Sequence, residues 1–271
     1  MKSFGISEKE EKWFDTIYEK SEPYLIDVQD FLSQRTLSIL NGGKNDRFNA
    51  FKLAYDLIGD IEDKVILDYG CGSGSLGVFL ALRGAKEVYG FDICKEAIQA
   101  ANTLARINGV EYKTFFDQMT APHLYKYDSF KFDLVVGKEI LHHIIKYNGF
   151  ECELSRVLKK GARAIFFNEP LGHNPFIEIM RKTIIYRKRA FNAGERVLTY
   201  KDINRVREYF TVTNIYELNL LFQIKRFFRG KYHNKLVRFF LRGCLKMDNV
   251  LLNTFPSLKK YCGEVVLEFV K

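Results

Sequence analysis

The sequence predicts an α/β fold, a mostly parallel sheet with helices on both faces. Three observations carry this. From Asp63 to Asn168, short apolar runs of strand character alternate with longer helical runs, the pattern of strand–helix–strand units. Residues 64–77 join one such strand to a helix through alternating glycines. Asp68, Asp92, Asp117, Gly137 and Glu169 all fall at or just past the ends of apolar runs, where open α/β sheets bind their ligands.

In chain order, the capping-box spacing of Ser7 to Glu10 predicts a first helix with Trp13, Phe14, Ile17 and Tyr18 on its apolar face. A second helix is expected over Pro23–Leu40, ended by Asn41-Gly42-Gly43, and a third over Asp46–Gly59. Strands are expected near 64–68, 87–92, 110–116, 132–137 and 162–168, with helices near 75–83, 94–108 and 139–159. Asn174-Pro175 marks a turn, and Phe176, Ile179, Met180, Thr183 and Ile184 follow at helical spacing. Thr199-x-x-Asp202 reads as a helix start. Strands close the chain at Thr211–Asn219 and Glu264–Val270. The connection between them is far longer than a hairpin needs, so Leu220–Leu252 reads as an inserted helical cap.

Residues 65–67 are apolar, Asp68 ends the strand, and Gly70, Gly72 and Gly74 alternate before Leu76, Val78 and Phe79 open the helix. Glycines let a ligand lie against bare backbone, and the first helical turn offers unpaired N–H groups. Gly72-x-Gly74-x-x-Gly77, with Asp92 twenty residues on, also fits a dinucleotide fingerprint. Against that, the Asp68 carboxylate would repel a pyrophosphate, whereas it suits a ligand with a cationic amino group.

The run Asp68-x-Gly70-x-Gly72-x-Gly74 resembles motif I of the class I S-adenosylmethionine (SAM) methyltransferases. The resemblance continues in order through Glu87–Asp92, Tyr112–Gln118, Phe132–Ile144 and Leu154–Pro170, and so covers roughly residues 60–170. It implies a Rossmann-like, seven-stranded sheet whose last strand is antiparallel. It implies SAM as cofactor, contacting Asp68, Gly70, Gly72, Gly74, Asp92, Ile93, Asp117, Gln118 and Gly137, with Asp92 on the ribose hydroxyls and Asp117 near adenine. Residues 1–60 become N-terminal helices, either a lid or a packing layer. Residues 61–170 become the cofactor-binding core, and 171–271 complete the sheet around a basic cap at about 220–255, all within one domain.

Methyl transfer to an alcohol or phenol needs a proton acceptor, and an amine needs its neutral form favoured. Histidine is suited to that near neutrality. His142, His143 and His173 lie near the expected rim. Neighbouring helical positions point about 100° apart, so His142 and His143 do not both face one pocket; the other then packs or caps. His173 either contacts substrate or holds its turn. Glu169 either accepts a proton or anchors the loop. Lys138 and Glu139 are further candidates on weaker grounds. The chain lacks the Asn/Asp-Pro-Pro-Tyr/Phe pattern of methyltransferases that act on nucleobase amines. No zinc-ligand spacing or acidic metal set stands out, so no metal is expected. The reading is methyl transfer to oxygen or nitrogen of a small-molecule acceptor. The alternatives are a lipid or lipid-linked acceptor at a membrane surface, or a SAM-binding partner protein without catalysis.

Five scattered cysteines without a Cys-x-x-Cys pair suggest reduced thiols in a cytoplasmic protein. Met1–Glu10 lacks an apolar core, so no secretory leader is expected. No uncharged apolar run is long enough to span a bilayer. The net charge of +9 is uneven: residues 171–260 hold 19 Lys and Arg against 6 Asp and Glu. Within Lys235–Leu252, Val237, Phe240, Leu241, Cys244, Met247 and Leu251 follow the helical period and Arg238, Arg242 and Lys246 another face. That segment is a plain cap, a peripheral membrane contact or a groove for an anionic substrate. Nucleic acid ranks last, for want of a recognisable RNA-binding module.

Overall fold

The computed structural model of the chain describes residues 23–41, 47–120, 124–175 and 197–271. The helix expected from Ser7 and the helical spacing after Phe176 lie outside them. The described elements are α1 (Val28–Thr36), α2 (Phe48–Ile58), β1 (Val65–Tyr69), α3 (Ser75–Leu82), β2 (Glu87–Asp92), α4 (Lys95–Ile107), β3 (Thr114–Gln118), β4 (Phe132–Lys138), α5 (Leu141–Ile144), α6 (Phe150–Val157), β5 (Leu158–Pro170), α7 (Tyr200–Arg207), β6 (Val212–Leu218), α8 (Lys235–Thr254) and β7 (Glu264–Val270). The seven strands form one sheet in the order β3-β2-β1-β4-β5-β7-β6. The first five run parallel, while β7 is antiparallel to both β5 and β6.

Side chains alternate across each strand, so every buried strand feeds two cores. Ile66, Val136, Ile165 and Val266 face the layer built from α1 to α4, together with Phe31, Phe51 and Phe79. Leu67, Val135, Phe166 and Leu267 face the layer of α5, α6 and α7. Burial on both sides explains why these strands read as continuous apolar runs. Phe31 stacks on Phe79 at 4.3 Å, and Phe51 meets Phe167 edge-on at 5.8 Å. The described N-terminal helices therefore belong to one core layer.

Several boundaries differ from expectation, each for a local reason. The second helix is shorter than Pro23–Leu40. Asp27 caps it by accepting the Asp30 amide at 2.7 Å, and Leu37 is already extended. The helix expected over 139–159 is two helices, because Gly149 adopts φ +88 and opens α6 anew. Strand β5 starts at Leu158 rather than 162, its register with β4 shifting between Phe132 and Leu134. Strand β3 starts at Thr114, after a turn at Gly109 with φ +66. The capping box of Thr199 and Asp202 forms as expected.

Between β6 and β7 the cap consists of a 3-10 segment (Phe222–Phe228), α8, and a second 3-10 segment (Pro256–Tyr261). Asp248 on α8 accepts the Leu221 and Phe222 amides at 2.7 and 3.0 Å. Leu241 joins Phe222, Ile39 and Leu40 in a small separate core. Leu241 and Asp248 lie seven residues apart, so together they define the inner face of the helix. That rotates α8 relative to the expected apolar face: Phe240 and Met247, each one residue earlier, are exposed. Among the described residues, no helix is long and apolar enough to cross a membrane. No group of three or more His, Cys, Asp or Glu among them could hold a metal ion.

Candidate active site

Strand β1 must hand over to α3 within five residues, and the glycines make that turn. Gly70, Gly72 and Gly74 adopt φ +67, +51 and +75, conformations costly for any residue with a Cβ. Space is short as well. A Cβ on Gly70 would fall 2.5 Å from Ile140 Cγ1, and one on Gly74 2.7 Å from Ala101 Cβ. The result is bare main chain along one wall of a cleft of about 290 Å3 at the carboxyl ends of β1, β2 and β4.

Asp68 sits at the foot of this cleft. It is 2% exposed, and its Oδ2 is buried with no hydrogen-bond partner. Burial pushes its carboxyl up to about 7, against the opposing pull of the Gly77 amide and the Lys138 ammonium; Asp92 adds to the rise. An orphaned, buried carboxylate oxygen is costly unless a ligand completes it. The residue type and position suit a cationic amino group.

Asp92, at the end of β2, holds the glycine turn from the side. Its Oδ2 accepts the Gly72 amide at 3.0 Å and its Oδ1 the Cys94 amide at 3.1 Å. Burial raises its carboxyl pKa, opposed by the Cys94, Gly72 and Ile93 amides. Asp92 and Ile93 both line the cleft, where diol hydroxyls of a nucleoside would meet a carboxylate acceptor.

The opposite wall comes from the segment after β4. Lys138, Glu139, Ile140, His143, Lys146 and Tyr147 line it. Arg47, at the start of α2, forms an ion pair with Glu139 and so ties the N-terminal helices to the cleft. Short helix α5 is oriented by Glu169, fully buried at the end of β5. Its Oε1 accepts the Ile140 and Leu141 amides at 2.8 and 2.9 Å, and its Oε2 accepts the His142 amide at 3.1 Å. The same Oε2 lies 2.7 Å from His142 Nδ1. Burial raises this carboxyl, but His142 and the two amides outweigh it and hold Glu169 below its ordinary value. With His142 turned into the core, His143 faces the cleft, the two rings 4.1 Å apart.

The remaining expected residues are placed as follows. Asp68, Gly70, Gly72, Asp92, Ile93 and His143 come together on the cleft wall. Asp117 turns to Lys126 at 2.6 Å, and Gln118 donates to the Ile93 carbonyl at 3.0 Å. Gly74 faces α4, and Gly137 leaves room for Phe166. His142 and Glu169 clamp each other behind the wall. His173 is exposed, accepts the Tyr200 amide on Nε2 at 3.1 Å and stacks on the Tyr200 ring at 5.1 Å. Ser73, Ser75, Lys146 and Tyr147 line the cleft without having been singled out. The serines interleave the glycines, and Lys146 and Tyr147 follow His143 by three and four residues. That helical-neighbour spacing could have pointed to them.

The residues present fit an adenosyl amino acid. The glycine turn leaves bare backbone at Gly70 and Gly72 on the cleft, the buried acid has an open oxygen, and a second acid borders the turn. Comparison with known proteins agrees. A family model described as a methyltransferase domain matches residues 61–210. The chain is 53% identical over 51 residues to the ribosomal protein L11 methyltransferase of Acinetobacter baumannii (strain AYE), covering 19% of this chain and 17% of that protein. It is 35% identical over 129 residues to the ubiquinone biosynthesis O-methyltransferase of Alkalilimnicola ehrlichii, covering 47% and 50%. The chain thus spans half or less of the length of these curated relatives. Among solved structures, phosphoethanolamine N-methyltransferase 2 of Haemonchus contortus, in complex with SAM, superposes with a TM-score of 0.56. It is 15% identical, with 91% of this chain and 60% of that one covered, a likeness of fold. The cradle, the sheet order and a family match over more than half of its length make this chain a member of the class I SAM-dependent methyltransferases.

Proposed function

We propose that the chain transfers a methyl group from SAM to an oxygen or nitrogen of a small-molecule acceptor, with His143 as the general base. The observation that carries this reading is that His143 lines the same cleft as Asp68, whose buried Oδ2 has no partner. The names of two similar proteins, an O-methyltransferase and an N-methyltransferase, support an acceptor of this kind.

The cofactor, when bound, supplies a methyl already activated as a sulfonium substituent, so the protein's task is alignment and proton removal. Asp68 would hold the cationic amino group, and the bare turn at Gly70 and Gly72 would carry the amino-acid backbone. Asp92 would accept from the ribose hydroxyls. His143 takes the acceptor's proton as the new bond to the methyl forms. Glu169 and His142 are positioning residues: they fix α5, and with it the direction of the His143 ring.

A methyl-transfer assay over hydroxyl- and amine-bearing small molecules tests the reading, paired with calorimetry for SAM. In the His143→Asn variant, kcat falls by about a hundredfold or more with SAM affinity unchanged. Undiminished turnover in that variant removes His143 as the base.

A further inference from the structure

Helix α8 carries two apolar faces, and among the described residues only one of them is packed against the rest of the fold. Leu241 and Asp248 point inward. On the far side, Leu236 is 79% exposed, Phe239 78%, Val250 64% and Met247 54%. At about 100° per residue these four fall within one sector roughly opposite Leu241, with Gly243 between them. Single exposed apolar residues are ordinary; a continuous stripe along a 20-residue helix marks a contact surface.

The charge around the stripe says what the contact is. Residues 226–260 contain nine Lys and Arg and a single acid. That acid, Asp248, is buried and engaged by the Leu221 and Phe222 amides. Lys235, Arg242 and Lys246 line one side of the stripe, roughly 60–100° from its centre, while Phe240 continues the apolar surface on the other side. Arg229, Lys231, Lys259 and Lys260 are exposed beyond the two ends of the helix. A second copy of the chain would bring two such basic rims together, which like-charge repulsion opposes. Of the four stripe residues only Phe239 carries a ring, so the stripe offers nucleic acid no succession of aromatic faces for base stacking. An apolar stripe with a cationic side and basic ends is the form of a helix lying in a bilayer interface, apolar side chains at the acyl boundary and Lys and Arg among anionic headgroups.

We propose that the exposed face of α8 docks the protein on an anionic lipid surface. This is independent of the methyl-transfer reading. It does bear on it, because the cap is tied to the carboxyl-end rim where the cleft opens. Lys225 at its base is buried against Glu264, 3.8 Å away, and Glu264 pairs with Pro170 at the end of β5.

The test is co-sedimentation of the full chain with vesicles of phosphatidylcholine, with and without phosphatidylglycerol, at low and high salt. Binding is expected only with phosphatidylglycerol, and it weakens as salt rises. Lys235→Glu with Lys246→Glu lowers partitioning at least about 25-fold, at roughly fivefold for each cationic charge removed. Leu236→Ser with Phe239→Ser lowers it at least about tenfold. The thermal midpoints of both stay within a degree or two of the parent, because these side chains are exposed. Tyr112→Ser, which removes an exposed aromatic away from the cap, leaves partitioning unchanged. Equal partitioning with and without phosphatidylglycerol, or none at all, overturns the proposal. So does concentration-dependent self-association, or binding to an RNA oligomer in place of vesicles, that the Leu236/Phe239 change abolishes.

Discussion

Two buried carboxylates stand at the carboxyl rim of the same sheet, and they are treated oppositely. Glu169, at the end of β5, accepts three backbone amides and faces His142; its pKa is held low. Asp68, at the end of β1, is as deeply buried, yet keeps an oxygen with no partner, and its pKa is driven up to about 7. The fold completes one acid internally and leaves the other to be completed from outside. The first orients a wall of the cleft, and the second is its floor.

The largest effect expected from breaking this contrast is at Glu169. Glu169→Ala leaves three buried amides and the His142 ring without their acceptor, and stability falls by about 3–5 kcal/mol. Glu169→Gln, which keeps one acceptor oxygen, recovers part of it; urea denaturation of both variants measures the difference. A loss below about 1 kcal/mol in the alanine variant would mean the clamp contributes little.

Next comes Asp68→Asn. The change removes the charge but no internal hydrogen bond of the open oxygen. SAM affinity therefore falls by about 10- to 100-fold, the worth of a charge-assisted bond. Stability at pH 8 stays the same or rises, since a disfavoured buried charge is gone. Calorimetry and denaturation on one preparation separate the two quantities, and unchanged affinity would take Asp68 out of the site.

The same contrast has a pH signature. Asp68 has a folded pKa above its unfolded value, so its contribution to stability is present at low pH and is lost as pH rises toward about 7. Glu169 has a depressed folded pKa, so its contribution is present above about 4.5 and is lost as pH falls below that. A cationic ligand needs Asp68 ionised, so SAM affinity weakens by about tenfold per pH unit below 7. The Asp68→Asn variant should lack this slope. A slope that survives in the variant assigns the titration elsewhere.

The smallest effect is expected at His173. It is exposed and joined to Tyr200 by one hydrogen bond and a stacking contact. His173→Ala should cost less than about 1 kcal/mol and leave turnover unchanged. A drop in kcat without a stability change would return His173 to the substrate side.

Part of this site is legible in the sequence. An acid at a strand end followed by three alternating glycines has few physical uses, and Asp68, Gly70 and Gly72 do line one cleft. The roles of Glu169, His142 and His143 were not readable. Adjacent histidines differ only by rotation about a helix axis, and that rotation is set by Glu169, 27 residues on from His142. The turn of α8 was likewise hidden. Its apolar residues satisfy two faces equally well, and the choice falls to Asp248 meeting amides 26 and 27 residues away.

Sequence alone determined the order of the seven strands along the chain, the glycine turn after β1 and the uneven charge, because each is written in local periodicity or in residue types that few conformations tolerate. Tertiary structure alone decided which histidine faces the cleft, which buried acid stays open and which face of the cap remains outside. Those are questions of orientation, and orientation is settled by contacts between residues far apart in the chain.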